Sequence, residues 1–201
     1  NINFMKAAIM QPTYFPWLGY FALISNVDTF VFLDNVQFDR RSWQQRNQIA
    51  NKEKKIWLTV PVEKKNLFSQ KIHDVNIKDL NFKTKHLKSI FYSYNKTKYF
   101  SKVFPFIEDI FNKKINTLSE LNILIVKKIC EALNIKTNFI NAKDLKAKGK
   151  KSALLSNICE EIKANTYVSV PGSKEYMGEQ TEFKKKRIKV EFFIYNQKVY
   201  N

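Results

Sequence analysis

Short apolar runs and helically spaced apolar positions alternate along this chain. Lys6–Met10 and Thr29–Leu33 are apolar runs of strand length, and Trp17–Ser25 between them has the pattern of a helix. A strand, a loop with a glycine, a helix and a second strand form the βαβ unit of a parallel sheet. We therefore predict an α/β fold with a mostly parallel, Rossmann-like sheet and flanking helices.

The rest of the pattern predicts more strands and a helical insertion. The further predicted strands are Ile56–Val62, His73–Ile77, Thr137–Ile140, Thr166–Val170 and Ile188–Tyr195, and the further predicted helices are Asn81–Asn95, Val103–Asn112, Ser119–Asn134 and Gly149–Asn165. Because strands and helices alternate at both ends, we expect residues 5–201 to form a single α/β domain with a helical insertion at about 79–134. Met5 has the character of a natural start, so residues 1–4 are expected to be a foreign remnant.

The composition fits a folded protein without a membrane anchor. Of the 201 residues, 44% are hydrophobic and 14% are aromatic, which is enough for a packed core. Cys130 and Cys159 lie in apolar helical patterns and are expected to be reduced core residues. No apolar run approaches the roughly 20 residues that span a bilayer, and no signal-peptide pattern is present, so we expect a cytoplasmic protein.

No standard catalytic or cofactor motif is present in the sequence. It lacks a metal-binding helix motif, a phosphate loop and a dinucleotide fingerprint. No cofactor is therefore required by the sequence, although a nucleotide is compatible with it.

The formal charge of +17 has two interpretations. A strongly basic chain is typical of nucleic-acid binding. The lysines are, however, spread through almost every segment, and a codon bias toward Lys, Asn and Ile gives the same composition. We therefore rank a nucleic-acid-binding protein, whose affinity would fall steeply with salt, behind the two hypotheses given below.

Three of the four arginines lie within residues 39–46, which we call the arginine segment. Arginine is a planar fork that holds phosphate or carboxylate through two parallel hydrogen bonds. Its concentration here predicts an anion site whose geometry matters, and the alternative is a helix face whose charges happen to be arginines. The residues assigned to this site are Arg40, Arg41, Trp43, Arg46 and Asn47.

The first loop, residues 11–21, combines two prolines and a glycine with several aromatic side chains. Such a loop can frame a base or sugar ring while excluding water. The alternative is an aromatic mini-core under the sheet edge, which we favour for Phe15 and Phe21. The residues of this loop that we assign to ligand binding are Gln11, Pro12, Tyr14, Trp17 and Gly19.

Residues that follow later strands are further candidates. Asp34 is expected either to orient an amine or ribose hydroxyl or to cap its loop, and Gln37 faces the same sheet edge.

His86 is a candidate general base because histidine titrates nearest neutrality, with a solvated or partly buried bystander as the alternative. A loop near residue 172 is either an anion site at a helix amino end or an ordinary turn. Its candidate residues are Gly172, Ser173, Lys174 and Tyr176.

Several blocks of the sequence resemble the WbqC-like family, and together they cover nearly the whole chain. The blocks are Ile9–Phe21, Asp28–Phe38, Arg41–Asn47, Trp57–Val62, Lys85–His86 and Tyr167–Tyr176. Members of this family are bacterial and are often encoded with O-antigen or other surface-polysaccharide genes. Some have been proposed to transfer glycine or other aminoacyl groups to amino sugars. The family typically continues past the equivalent of Asn201 with a tail that contains proline and glutamine.

The first block is also similar to nucleotidyltransferase-type α/β folds such as pantothenate synthetase. This resemblance implies a nucleotide site at the carboxyl edge of the sheet. The paired histidines that such enzymes carry in the first loop are absent, since Phe15–Tyr20 stand there. ATP adenylation is therefore not expected.

The resemblance and the residues together lead to two main hypotheses. The first is a transferase of O-antigen, or lipopolysaccharide, biosynthesis that N-acylates a nucleotide-linked amino sugar with a group such as glycine. Arg41 and Arg46 would hold the diphosphate, Trp17 or Tyr14 would stack on a ring, and Asp34 or His86 would accept the amine proton. The second is a non-catalytic protein of the same pathway that binds a nucleotide sugar or glycan.

Overall fold

The chain divides into two compact units in this computed structural model. The structure describes residues 4–51, 54–63, 69–173 and 180–196. The sheet unit comprises residues 1–11, 17–35 and 130–201, and the helical unit comprises residues 12–16 and 36–129. The strands are β1 (Lys6–Met10), β2 (Thr29–Phe32), β3 (Arg46–Asn51), β4 (Lys54–Thr59), β5 (Asn138–Asn141), β6 (Thr166–Ser169) and β7 (Lys189–Phe192). The helices are α1 (Leu18–Ser25), α2 (Phe82–Tyr94), α3 (Phe100–Asn112), α4 (Leu118–Ala132), α5 (Lys151–Glu161) and α6 (Thr181–Lys185).

The sheet unit has a five-stranded sheet in the order β5-β2-β1-β6-β7, and every pairing in it is parallel. Every residue of β2 and of β6 is buried, as expected for inner strands that are covered on both faces. From β1 the chain passes to β2 and β5 on one side, whereas β6 and β7 lie on the other side. This arrangement confirms the predicted Rossmann-like α/β fold and places a topological switch point between β1 and β6.

The helical unit is built on the antiparallel ribbon of β3 and β4, in which Arg46 is opposite Thr59 and Ile49 is opposite Ile56. A core of apolar side chains from the ribbon, the helices and the intervening loops fills this unit. Its buried members are Tyr14, Phe38, Leu58, Val60, Val62, Ile72, Val75, Phe82, Ile90, Ile110, Phe111, Ile115, Leu118, Leu121 and Ile125.

Two predictions about strands need correction. His73–Ile77 is not a strand, because residues 72–74 form a 3-10 turn and Asn76 and Ile77 make only isolated bridges. The strand predicted at Ile56–Val62 is β4, which begins and ends earlier and pairs only with β3. The sequence pattern did not predict β3, since Ile49 is its only large apolar residue.

Both cysteines are free and buried, as predicted. Burial raises the pKa of the Cys130 thiol to about 11 and that of the Cys159 thiol to about 12. Neither thiol is therefore ionised near neutral pH, so neither has the character of a reactive nucleophile.

Candidate functional site

A cavity of about 370 Å³ opens at the carboxyl edge of the parallel sheet. Met10 at the end of β1, Val170 after β6 and Phe193 after β7 line it, so it lies at the switch point between β1 and β6. This crevice is where ligands of open α/β sheets bind. The described residues that line it are Met10, Trp17, Gly19, Val170, Pro171, Gly172, Phe193, Ile194 and Tyr195. The structure therefore brings three predicted site residues, Trp17, Gly19 and Gly172, to one cavity.

Trp17 is the largest side chain among the described residues that line this cavity. Its backbone is extended immediately before α1, and 53% of the residue is exposed. The indole lies against Gly19, where an added Cβ atom would stand only 2.1 Å from two ring carbons. The indole also contacts Tyr195 edge to face, at 5.5 Å between ring centroids and 72° between ring planes. Gly19 is therefore needed because the indole occupies the space of a side chain.

The loops that follow β1 and β2 are each held by a hydrogen bond between a side chain and the backbone. Gln11 is exposed, and its carbonyl accepts a hydrogen bond from the Tyr20 hydroxyl at 3.1 Å. Asp34 is fully buried after β2, and its Oδ1 accepts a hydrogen bond from the Lys143 amide at 2.9 Å. This contact favours the loop-capping alternative for that carboxylate oxygen.

The loop after β6 is only partly described. Pro171–Ser173 forms one 3-10 turn, and Gly172 in this turn is exposed and lines the cavity. Lys174 and Tyr176, which were predicted to belong to this site, lie outside the described residues.

In the helical unit, the arginine segment is a chain of turns that leads into β3 and not a helix. Two buried glutamine side chains accept backbone hydrogen bonds that a helix would make within its own backbone. Gln44 Oε1 accepts a hydrogen bond from the Asp39 amide at 3.2 Å, and Gln45 Oε1 accepts one from the Arg41 amide at 3.0 Å. Arg41 has a φ of 62°, in the left-handed region that such a turn requires. The helix-face alternative is therefore wrong.

Asn122 fixes the arginine segment to the first loop, and sequence reasoning missed it. Its Nδ2 donates to the Gln44 carbonyl at 2.8 Å and to the Pro12 carbonyl at 3.2 Å. Both Asn122 and Pro12 are buried. The sequence did contain a signal for this role, because Asn122 is a polar residue next to Leu121 on the apolar side of α4.

The three arginines of the segment have different surroundings. Arg40 and Arg41 are exposed. Arg46 is half-buried, and its guanidinium carbon lies 4.0 Å from the centroid of the Trp57 ring, which is a cation–π contact. Trp43 lies beside Trp57 with 5.7 Å between ring centroids, and both indoles are substantially exposed. Trp57 therefore joins Arg46 and Trp43 in one surface cluster, which sequence reasoning did not predict.

Tyr14 and His86 form a buried pair in the core of the helical unit. The Tyr14 hydroxyl and His86 Nδ1 are 2.8 Å apart, and His86 is only 6% exposed. Burial lowers the pKa of His86 to about 4, although a hydrogen bond with the Thr59 backbone opposes this shift. Burial also raises the pKa of Tyr14 well above its ordinary value. The imidazole is therefore neutral at pH 7.

Asn47 holds the first loop in place on the ribbon. Its Nδ2 donates to the carbonyls of Tyr14 and Phe15, at 3.1 and 2.5 Å. Phe15 has a φ of 45°, an unusual conformation for a residue with a side chain. Gln37 is exposed and forms an isolated bridge with Lys71.

The described part of the chain has no candidate metal cluster and no candidate membrane-spanning helix. No group of three or more histidine, cysteine or acidic residues there is arranged to hold a metal ion. None of the helices in this part has the length and apolar character needed to cross a membrane.

Comparison with known proteins identifies the family. The WbqC-like protein family matches residues 11–201. The uncharacterized protein Rv1507c of Mycobacterium tuberculosis is 34% identical to this chain over 192 residues, which cover 95% of this chain and 83% of that protein. No solved structure matches the chain. The chain belongs to the WbqC-like family.

Proposed function

We propose that this protein is a transferase that N-acylates a nucleotide-linked amino sugar, with an aminoacyl group such as glycine as the group transferred. Membership of the WbqC-like family supports a role in polysaccharide-related biosynthesis. The parallel sheet, with a crevice at its switch point, supports the nucleotide part of the substrate.

The position of Trp17 carries this proposal. Trp17 is exposed, contacts Gly19 and lines an apolar crevice, so its indole is accessible for stacking on a planar ring. Stacking of a base on an aromatic side chain contributes roughly 1–3 kcal/mol. Tyr14, the other aromatic residue that we considered for stacking, is fully buried and bonded to His86. We therefore assign the ring of the nucleotide to Trp17.

Replacing Trp17 by alanine is expected to weaken nucleotide-sugar binding by roughly tenfold or more, because the stacking face is lost. The chain has three tryptophans. A variant with Trp43→Phe and Trp57→Phe therefore keeps Trp17 as its only indole, and titration with UDP- and dTDP-linked amino sugars should change its fluorescence. Affinities of wild type and Trp17→Ala are measured by calorimetry.

Leu18→Ala is the matched control, since Leu18 is also exposed and does not line the crevice. Its affinity should equal that of the wild type. A nucleotide sugar that binds equally well to Trp17→Ala and leaves the Trp17 fluorescence unchanged would contradict the proposal.

The arginine segment is proposed to be an anion site of the helical unit. Arg46→Lys keeps the charge but removes the planar fork and its stack on Trp57. We expect Arg46→Lys and Arg41→Lys each to bind inorganic pyrophosphate roughly tenfold more weakly, since a hydrogen bond to a charged group contributes about 1.5 kcal/mol or more. Arg187→Lys changes the remaining arginine, in the sheet unit, and should leave the affinity unchanged. Equal pyrophosphate affinity in the wild type and in all three variants would contradict a role for the planar arginine forks.

One observation favours the second function, a non-catalytic nucleotide-sugar or glycan-binding protein. Both residues proposed to accept the amine proton, Asp34 and His86, are buried and hydrogen-bonded within the protein. Among the described residues that line the crevice, Tyr195 is the only titratable side chain. Saturable binding of a nucleotide sugar without product, whichever aminoacyl donor is supplied, selects this function. Binding of a single-stranded oligonucleotide alone, with affinity that falls steeply as salt rises, selects a nucleic-acid-binding protein instead.

A further inference from the structure

The helical unit contains a second cavity, of about 320 Å³, that the proposed function does not use. Ile90 of α2, Phe104 and Ile107 of α3, and Ile49 and Leu58 of the ribbon form its apolar walls. A dry apolar cavity of about 150 Å³ is large enough to bind benzene. Small-molecule sites in proteins begin at roughly 300 Å³. The cavity therefore has the size and the lining of a site for a small apolar group.

The wall of this cavity beside the first loop is fixed before any ligand binds. Tyr14 and Phe15 line the cavity. Asn47 holds the carbonyls of both residues, and His86 holds the Tyr14 hydroxyl. A preformed pocket avoids the entropic cost of ordering its walls when the ligand binds.

The end of the cavity near the α2–α3 turn is exposed and basic. Tyr99 and Val103 line the cavity there, and 60% and 49% of these residues are exposed. Lys98 Nζ lies 5.4 Å from the centroid of the Tyr99 ring. Lys96 and Lys102, on either side of this position in the sequence, are exposed as well. A ligand in the cavity therefore has apolar walls around one end and the Lys98 ammonium group near the other.

We propose that this cavity binds the acyl chain of an anionic amphiphile, with the chain among the apolar walls and the anionic head close to Lys98. The site contributes apolar burial for the chain and charge attraction for the head. Free carboxylates and the anionic lipids of a membrane surface share this chemistry, and the experiment distinguishes between them.

The test is calorimetric titration of the full chain with butyrate, hexanoate, octanoate and decanoate, each below its micelle concentration, with decanol as the uncharged control. Affinity should rise roughly fourfold for each buried methylene. Decanoate should bind at least several-fold more tightly than decanol. No dependence of affinity on chain length would overturn the proposal.

Variants locate the binding. Val103→Trp should fill the cavity from its exposed end and reduce decanoate affinity more than tenfold, and Ile107→Phe should act likewise from the wall. Leu80→Trp, at an exposed position of the helical unit outside the cavity lining, is the matched control and should bind decanoate normally. Lys98→Glu should weaken decanoate binding but not decanol binding, whereas Lys88→Glu on α2 should weaken neither. Decanoate binding that survives both Val103→Trp and Ile107→Phe overturns the proposal.

Sedimentation with phosphatidylglycerol vesicles identifies the source of the chain. Vesicle binding that is lost in Val103→Trp indicates that a membrane lipid supplies the chain. Decanoate binding without vesicle binding indicates a free carboxylate. Vesicle binding that Val103→Trp leaves intact, in a protein that does not bind decanoate, reflects surface charge alone and rejects the site.

Discussion

Replacing Asn122 by leucine is expected to lower the free energy of unfolding by about 3 kcal/mol. The side chain is fully buried, and its amide nitrogen donates to two backbone carbonyls, those of Pro12 and Gln44. Leucine has a similar size, so the change removes two hydrogen bonds and leaves little cavity. Each buried carbonyl that loses its donor costs about 1–3 kcal/mol. Urea unfolding, followed by circular dichroism, measures the difference.

Asn112→Leu is the matched control for this prediction. Asn112 is the last residue of α3 in the same unit and is exposed, so its substitution should change stability by less than about 0.5 kcal/mol. If Asn122→Leu is as stable as Asn112→Leu, the buried amide does not hold the arginine segment to the first loop.

The elements that could be predicted from the sequence are those whose pattern reflects burial. The inner strands β1, β2 and β6 lie within one residue of their predicted bounds, because an inner parallel strand is buried on both faces and appears as a continuous apolar run. The ribbon strand β3 has no such run, since its position depends on pairing with β4. Residues 73–77 show the opposite case, in which alternation is present but no strand forms.

The candidate site was predictable to the extent that sheet topology determines it. Loops after neighbouring parallel strands meet at one edge, so Trp17, Gly19 and Gly172 could be expected near one another. Asn122 and Trp57 could not be assigned in this way. Asn122 acts on carbonyls that are 78 and 110 residues away in the chain, and Trp57 matters because Arg46 lies over its ring. Contacts of this kind leave no periodic signal in a sequence.

The Tyr14–His86 pair is expected to make the stability of the protein fall in mild acid. The pKa of His86 is about 4 in the folded protein, below the ordinary value of 6.5. Between these two pH values the unfolded chain takes up a proton that the folded protein does not. The contribution of His86 to the free energy of unfolding is therefore fully present above about pH 6.5. It is lost as the pH falls toward 4, and the loss is about 3 kcal/mol in total for a shift of this size.

Unfolding free energies measured in urea between pH 7.5 and 4 test this expectation. His86→Gln carries no proton-binding ring and still offers an acceptor to the Tyr14 hydroxyl, so this variant should lose about 3 kcal/mol less than the wild type over that range. His73→Gln is the matched control, because it changes the other histidine and leaves the buried pair intact. It should follow the wild-type profile. If wild type and His86→Gln decline in parallel, the acid sensitivity arises elsewhere and the imidazole is not protected from protonation by burial.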